Sequence, residues 1–166
     1  MGESDAVPVL LDPSERVSPR ARLLWTFDAL VRTTVVVGLV LLTGGVWHWY
    51  RLHWWLLAGL LLVGAAYVVV MPRWRYAVHR WEVTSTAVYT QTGWWRLERR
   101  IAPMSRVQTV DYHEGAAARL FGLASVTVTT ASSAGALHVS GLERDLARRL
   151  TADLTTRADG VPGDAT

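Results

Sequence analysis

Five histidines, His48, His53, His79, His113 and His138, are the residues most able to do chemistry in this 166-residue chain, which contains no cysteine. No two of them stand at helical i, i+4 spacing around a carboxylate, so the sequence shows no metalloprotease-type zinc pattern. The lack of cysteine also removes thiol nucleophiles, thiolate metal sites and disulfides. His48 and His53 flank a turn and read as interfacial histidines, with a metal or pH-sensing role as the alternative. Asp111, His113 and Glu114 come nearest to an acid/base cluster, with Ser105 or Ser125 as conceivable nucleophiles. On a strand Asp111 and His113 would share a face, but no Gly-x-Ser-x-Gly elbow marks an activated serine. A polar strand end is the simpler expectation. No Gly-x-Gly-x-x-Gly or phosphate-binding loop occurs either. The expectation is a protein that binds rather than catalyses, with no catalytic residue, no metal ligand, no cofactor and no small-molecule substrate.

The better functional candidates are Trp94, Trp95, Arg96, Arg99 and Arg100, in a stretch rich in aromatic and basic side chains. Guanidinium groups grip phosphate or carboxylate oxygens two at a time, and a cation near an anionic leaflet contributes about 1 kcal/mol. Contact with lipid or with a protein partner competes here with a solvated strand face whose charges only set topology. Nucleic acid is not expected, because the basic residues are tied to the membrane and no aromatic-lined basic groove is evident.

The elements that must position these residues fall into two regimes. Hydrophobic residues make up 51% of the chain and charged ones 19%, but the apolar content is concentrated between Val31 and Met71. The runs Thr33–Tyr50 and Leu52–Met71 contain no Asp, Glu, Lys or Arg. Crossing a hydrocarbon core takes roughly 20 apolar residues as helix, so a membrane hairpin is predicted, with helices over about 31–50 and 52–71 and with Pro72 ending the second. Trp47, Trp49, Trp54 and Trp55 bracket Arg51 and mark one membrane surface, while Trp25 and Trp74 mark the other. Arg16, Arg20, Arg22 and Arg32 precede the hairpin and Arg73, Arg75 and Arg80 follow it, against Arg51 alone in the turn. The positive-inside bias predicts an inner-membrane, multi-pass protein with both termini in the cytoplasm.

From Tyr76 the hydrophobic period changes to two. Trp95, Leu97, Arg99 and Ile101 alternate with Trp94, Arg96, Glu98 and Arg100, and about six strands can be counted. Ser140-Gly-Leu-Glu143 has the form of a capping box, followed by Leu142, Leu146, Leu150 and Leu154 at four-residue spacing. The predicted organisation is a flexible tail over 1–19, then an interfacial segment and hairpin over 20–72. In that segment Leu24, Trp25 and Phe27 dip into lipid. A cytoplasmic domain over 73–157 and a second tail over 158–166 complete it.

Short strands closed by a C-terminal amphipathic helix resemble a pleckstrin-homology domain, and three stretches resemble the bacterial YdbS-like membrane proteins. They are Gly93-Trp-Trp-Arg96 leading to Ile101-Ala-Pro103, Met104-Ser-Arg-Val-Gln-Thr-Val110, and Arg119-Leu-Phe-Gly122 with the Thr- and Val-rich run after it. The hairpin ahead of them also resembles this family, so the likeness covers roughly residues 20–157. It implies an α+β membrane protein: a two-helix transmembrane hairpin followed by a seven-stranded β-sandwich or barrel capped by a helix. It further implies a scaffolding module that partners another membrane protein, of the same family or a second copy of itself, with a role in envelope maintenance or antimicrobial tolerance. The alternatives are an anionic-lipid-binding sensor and an accessory subunit of a membrane enzyme or transporter.

Overall fold

A computed structural model of the chain describes residues 13–46, 53–94, 96–131 and 135–160. Trp47, Trp49, Arg51 and Trp95 lie outside the described residues, as do most of the expected N-terminal tail and the last six positions of the C-terminal one.

Two long helices form the hairpin: α1, Ala21–Leu41, continued by a π turn to Val46, and α2, Trp54–Val78. Their composition explains them. Aliphatic side chains dominate, and the hydroxyls of Thr26 and Thr43 donate back to the carbonyls of Arg22 and Leu39 at 2.7 Å, so neither needs water. The apolar side chains point away from the protein; Leu62 is 73% and Val35 55% exposed. Soluble proteins rarely leave so continuous an apolar surface open, and both helices are long and apolar enough to cross a membrane. The two helices pack closely at Gly64, where an added Cβ would come within 2.6 Å of the Thr33 methyl.

The hairpin departs from expectation at its foot. α1 begins at Ala21 as one continuous helix, with no separate interfacial segment. Ala21, Trp25 and Ala29, four residues apart, form a stripe buried in the protein rather than in lipid. Leu24 packs beside that core, and only Phe27 of the three expected lipid contacts is exposed. Pro72 does not end α2, which runs on to Val78. Proline removes one backbone hydrogen bond, but packing beyond it holds the helix together: Arg75 stacks 4.5 Å from the Trp25 ring, and Tyr76 packs on the core.

Among the described residues, seven strands follow or precede these helices. β1 (Glu15–Arg16), β2 (Arg80–Val83), β3 (Ala87–Gly93) and β4 (Leu97–Pro103) make one antiparallel sheet in that order. β5 (Val107–His113), β6 (Leu123–Thr130) and β7 (Leu137–Glu143) make the other, with the short helix α3 (Ala116–Leu120) between β5 and β6. The strand missing from the sequence count is β1. It lies in what read as tail, pairs Glu15 with Trp81 and Arg16 with Arg80, and is followed by the buried Val17 and Ser18. Two residues carry no readable alternation, so only the pairing reveals them.

The last helix, α4 (Arg144–Gly160), closes the core and extends beyond the expected end of the domain. Its inner face is Ala147, Leu150 and Leu154, with Leu146 at the margin. The capping box does not form. Ser140–Glu143 belong to β7, extended in a ladder that pairs Ala124 with Leu142 and Leu123 with Glu143, so the helical first turn that a cap would serve is absent there. Leu142 is therefore buried from a strand. Gly141, at φ +79°, sits directly against α1, where a Cβ would fall 2.7 Å from that of Ala21.

Candidate functional site

The basic stretch is split by strand geometry. β3 and β4 pair without a bulge, Thr90 opposite Arg100, Gln91 opposite Arg99 and Thr92 opposite Glu98. Side chains alternate along a strand, so Arg99 and Arg100 face opposite ways. Arg99 donates from Nε to Gln91 Oε1 at 3.0 Å on one face. Arg100 shares the other face with Thr90, in continuation of the core pair Val88 and Ala102. There it contacts Glu98 at 2.6 Å and donates from Nη1 to the Ala136 carbonyl at 3.1 Å. Arg96 is exposed in the β3–β4 turn. That turn needs glycine at its start, because Gly93 has φ +141° and a Cβ there would strike the Arg96 carbonyl.

Trp94 lies in the same turn, 48% exposed, and its carbonyl accepts a 2.8 Å hydrogen bond from Trp74 Nε1. Its ring meets Tyr67 of α2 edge-on at 6.5 Å. Trp94 is therefore fastened to the membrane helix as well as exposed. Trp54 and Trp55 are exposed at the start of α2 and Trp74 near its end. At 1.5 Å per residue, the helix between Trp54 and Trp74 is about 30 Å long, the thickness of a hydrocarbon core.

Between the foot of α2 and the β domain opens a cleft of about 570 Å³. Met71, Arg75 and His79 wall it from the helix side; Thr90, Thr92, Glu98 and Arg100 form its floor; His138 and Ser140 of β7 close it. Arg75 and His79 at the end of α2, Thr90 and Arg100 of the first sheet and His138 of β7 are brought together here by tertiary packing, which leaves no local pattern in the sequence. His79 is buried against the Trp25 ring, 5.0 Å between centroids. Burial and the adjacent Arg75 push its pKa down to about 4, so the imidazole is neutral at physiological pH. Its Nδ1 lies 3.0 Å from the Arg75 carbonyl, an acceptor only, so Nδ1 carries the proton.

The residues that resembled an acid/base cluster do not form one. Asp111 and His113 are exposed along β5, and the Ser125 hydroxyl donates to the His113 backbone carbonyl. Glu114 is held by the Tyr112 hydroxyl at 3.1 Å and by Arg144 at 2.5 Å. Desolvation pushes its pKa up, but these partners outweigh it and leave the carboxyl below its ordinary value. Among the described residues no group of three or more His, Cys, Asp or Glu could hold a metal ion.

Comparison with known proteins bears on the whole of this architecture. A family model described as "Bacterial PH domain" matches residues 21–158, which include both long helices, six of the seven strands and most of α4. The chain is 28% identical over 142 residues to the UPF0699 transmembrane protein YdbS of Bacillus subtilis (strain 168), covering 83% of this chain and 88% of the relative. No solved structure matches it.

Proposed function

We propose, from the premise that this chain is a membrane protein belonging to the bacterial PH domain family, that it is a non-catalytic, membrane-anchored interaction module. The observation that carries this reading is the open end of the first sheet. Strand order ends at β4, so among the described residues no strand pairs with its outer edge. Trp94 and Leu97, about half exposed, sit with Arg96 and Arg99 at the same corner. An unpaired edge flanked by an aromatic, an aliphatic and basic anchors suits a partner that adds a strand or packs on the corner. The partner is another membrane protein, of this family or a second copy, and the process is envelope maintenance or antimicrobial tolerance; the family likeness motivates both.

Co-purification from membranes tests the reading. A protein interface concentrates its energy in a few anchors, so Trp94→Ala or Trp95→Ala should lose the partner while moderate salt leaves the complex intact. Lipid attraction is additive and screened over about 10 Å at 0.1 M salt, so it would weaken stepwise as Arg96, Arg99 and Arg100 are neutralised. If the tryptophan variants keep every partner and the arginine variant loses surface contact, the module is a lipid sensor instead.

The hairpin spans the membrane with the β domain and both termini in the cytoplasm, in this reading, because the arginines crowd at its foot. Cysteines at His53 and Ala131, both exposed, can be probed with an impermeant thiol reagent in intact cells. Residue 53 should label and 131 should not; the reverse pattern rejects this orientation.

A further inference from the structure

The corner between β5 and β6 carries an apolar side chain that neither the core nor the partner surface explains. α3 there is short and alanine-rich, and Gly122, at φ +67°, turns the chain from it into β6. Ala118 and Phe121 pack against the core, which leaves Leu120 outside. It is 79% exposed, more open than Leu62 of the membrane helix at 73%. A single surface leucine is ordinary, but this one belongs to a larger apolar surface. Its neighbour Phe121 meets the Phe27 ring of α1 at 6.1 Å between centroids. Leu23, Phe27 and Leu30, all exposed, share one face of α1 at four- and three-residue spacing.

Contacts between the two long helices fix the depth of this corner. Arg75 lies over the Trp25 ring and Arg22 over the Tyr76 ring, so Phe27 is level with Trp74 to within about 5 Å, one helical turn. Trp74, about 30 Å along α2 from Trp54, marks one boundary of the hydrocarbon. On the far side of the hairpin the Trp94 carbonyl accepts from Trp74 Nε1, so the β domain meets both helices at this depth. A leucine here, continuous with the lipid-facing surface of α1, is covered by the upper acyl chains. Arg119, exposed in the same turn, suits the phosphates just above them. A second copy of the chain fits less well. A standard interface buries about 800 Å² per partner, and this corner offers one leucine and part of a phenylalanine.

We propose that α3 is an interfacial anchor: Leu120, backed by Phe121, enters the bilayer surface beside α1 and holds the second sheet against it. The anchor presupposes a membrane-spanning hairpin and is independent of the partner surface at Trp94. The chain has no cysteine, so single cysteines in the full-length protein can carry an environment-sensitive fluorophore in phosphatidylcholine–phosphatidylglycerol vesicles. Ala131→Cys is the aqueous reference. β4 runs about 20 Å from the Trp94 turn to Pro103, and Ala131 donates to the Arg106 carbonyl just past that end. Doxyl groups on the lipid tails should quench a probe at Leu120→Cys at least about threefold more than one at Ala131→Cys, and aqueous iodide should show the opposite order. A probe at Ala116→Cys, exposed on the same turn, should lose about half or more of its lipid quenching when Leu120→Asp is added and little when Leu120→Met is added. Neither change should alter melting, because Leu120 lies outside the core. Leu62→Cys, quenched by lipid in the same vesicles, verifies the hairpin, so that a failure at position 120 counts against the anchor alone. Equal quenching at positions 120 and 131 overturns the proposal, as does Leu120→Asp without effect at position 116. Shielding of position 120 from iodide that disappears on dilution of the protein into excess lipid overturns it too, since a second copy would then be the cover.

Discussion

Leu154→Asp should unfold the β domain. Leu154 is fully buried on α4, and with Ala147 and Leu150 it closes the core formed by both sheets. Substitution removes a side chain whose burial is worth about 2 kcal/mol and leaves a carboxylate with no partner in an apolar site, which costs several more. Small domains have only about 5–15 kcal/mol of stability in total, so one such change exhausts most of it. Leu150→Asp should act the same way, and Leu146→Asp less, because Leu146 is only partly buried. Thermal melting of the detergent-purified variants, followed by near-ultraviolet circular dichroism, reads the effect. Wild-type melting by both Leu150→Asp and Leu154→Asp would show that α4 is not packed as described.

Trp25→Ala should cost about 3–5 kcal/mol, the range for deleting a large buried aromatic side chain. Trp25 is 4% exposed, and three elements meet on it: Arg75 lies over its ring, His79 packs beside it, and Gly141 of β7 comes close to its edge. The loss should appear as a lower melting temperature of the β domain although Trp25 belongs to the helix that continues into the membrane. Trp74→Ala, at an exposed position on the other helix, should shift melting far less. Equal shifts for the two would mean that Trp25 serves only as an interfacial anchor.

The difference between these two tryptophans shows what could be read from the residues alone. The hairpin was legible because uncharged apolar runs of membrane length have few other uses, and the later strands and α4 because their periods of two and about four persist over several residues. Trp25 was misread because an indole near an apolar run looks the same whether it meets lipid or a sheet. The seal it forms depends on Gly141, more than a hundred positions away. The failed capping box has a similar origin: Ser140 and Glu143 carry the right local chemistry, and the ladder to β6 overrides it. In the cleft, Arg75 and Arg100 were visible as basic residues, but their meeting with Thr90 comes from the register of β3 and β4 and from α2 running past Pro72. Tertiary placement of this kind leaves no local pattern to find.

The strand pair β1–β2 is interrupted by the whole membrane hairpin, and this sets an order of events during synthesis. Glu15 and Arg16 leave the ribosome first, yet their partners Arg80 and Trp81 are made only after both long helices. Ala21 and Trp25 likewise wait for Gly141, near the end of the chain. Both long helices are therefore complete before the first sheet can close, and the core is sealed only once β7 has been made.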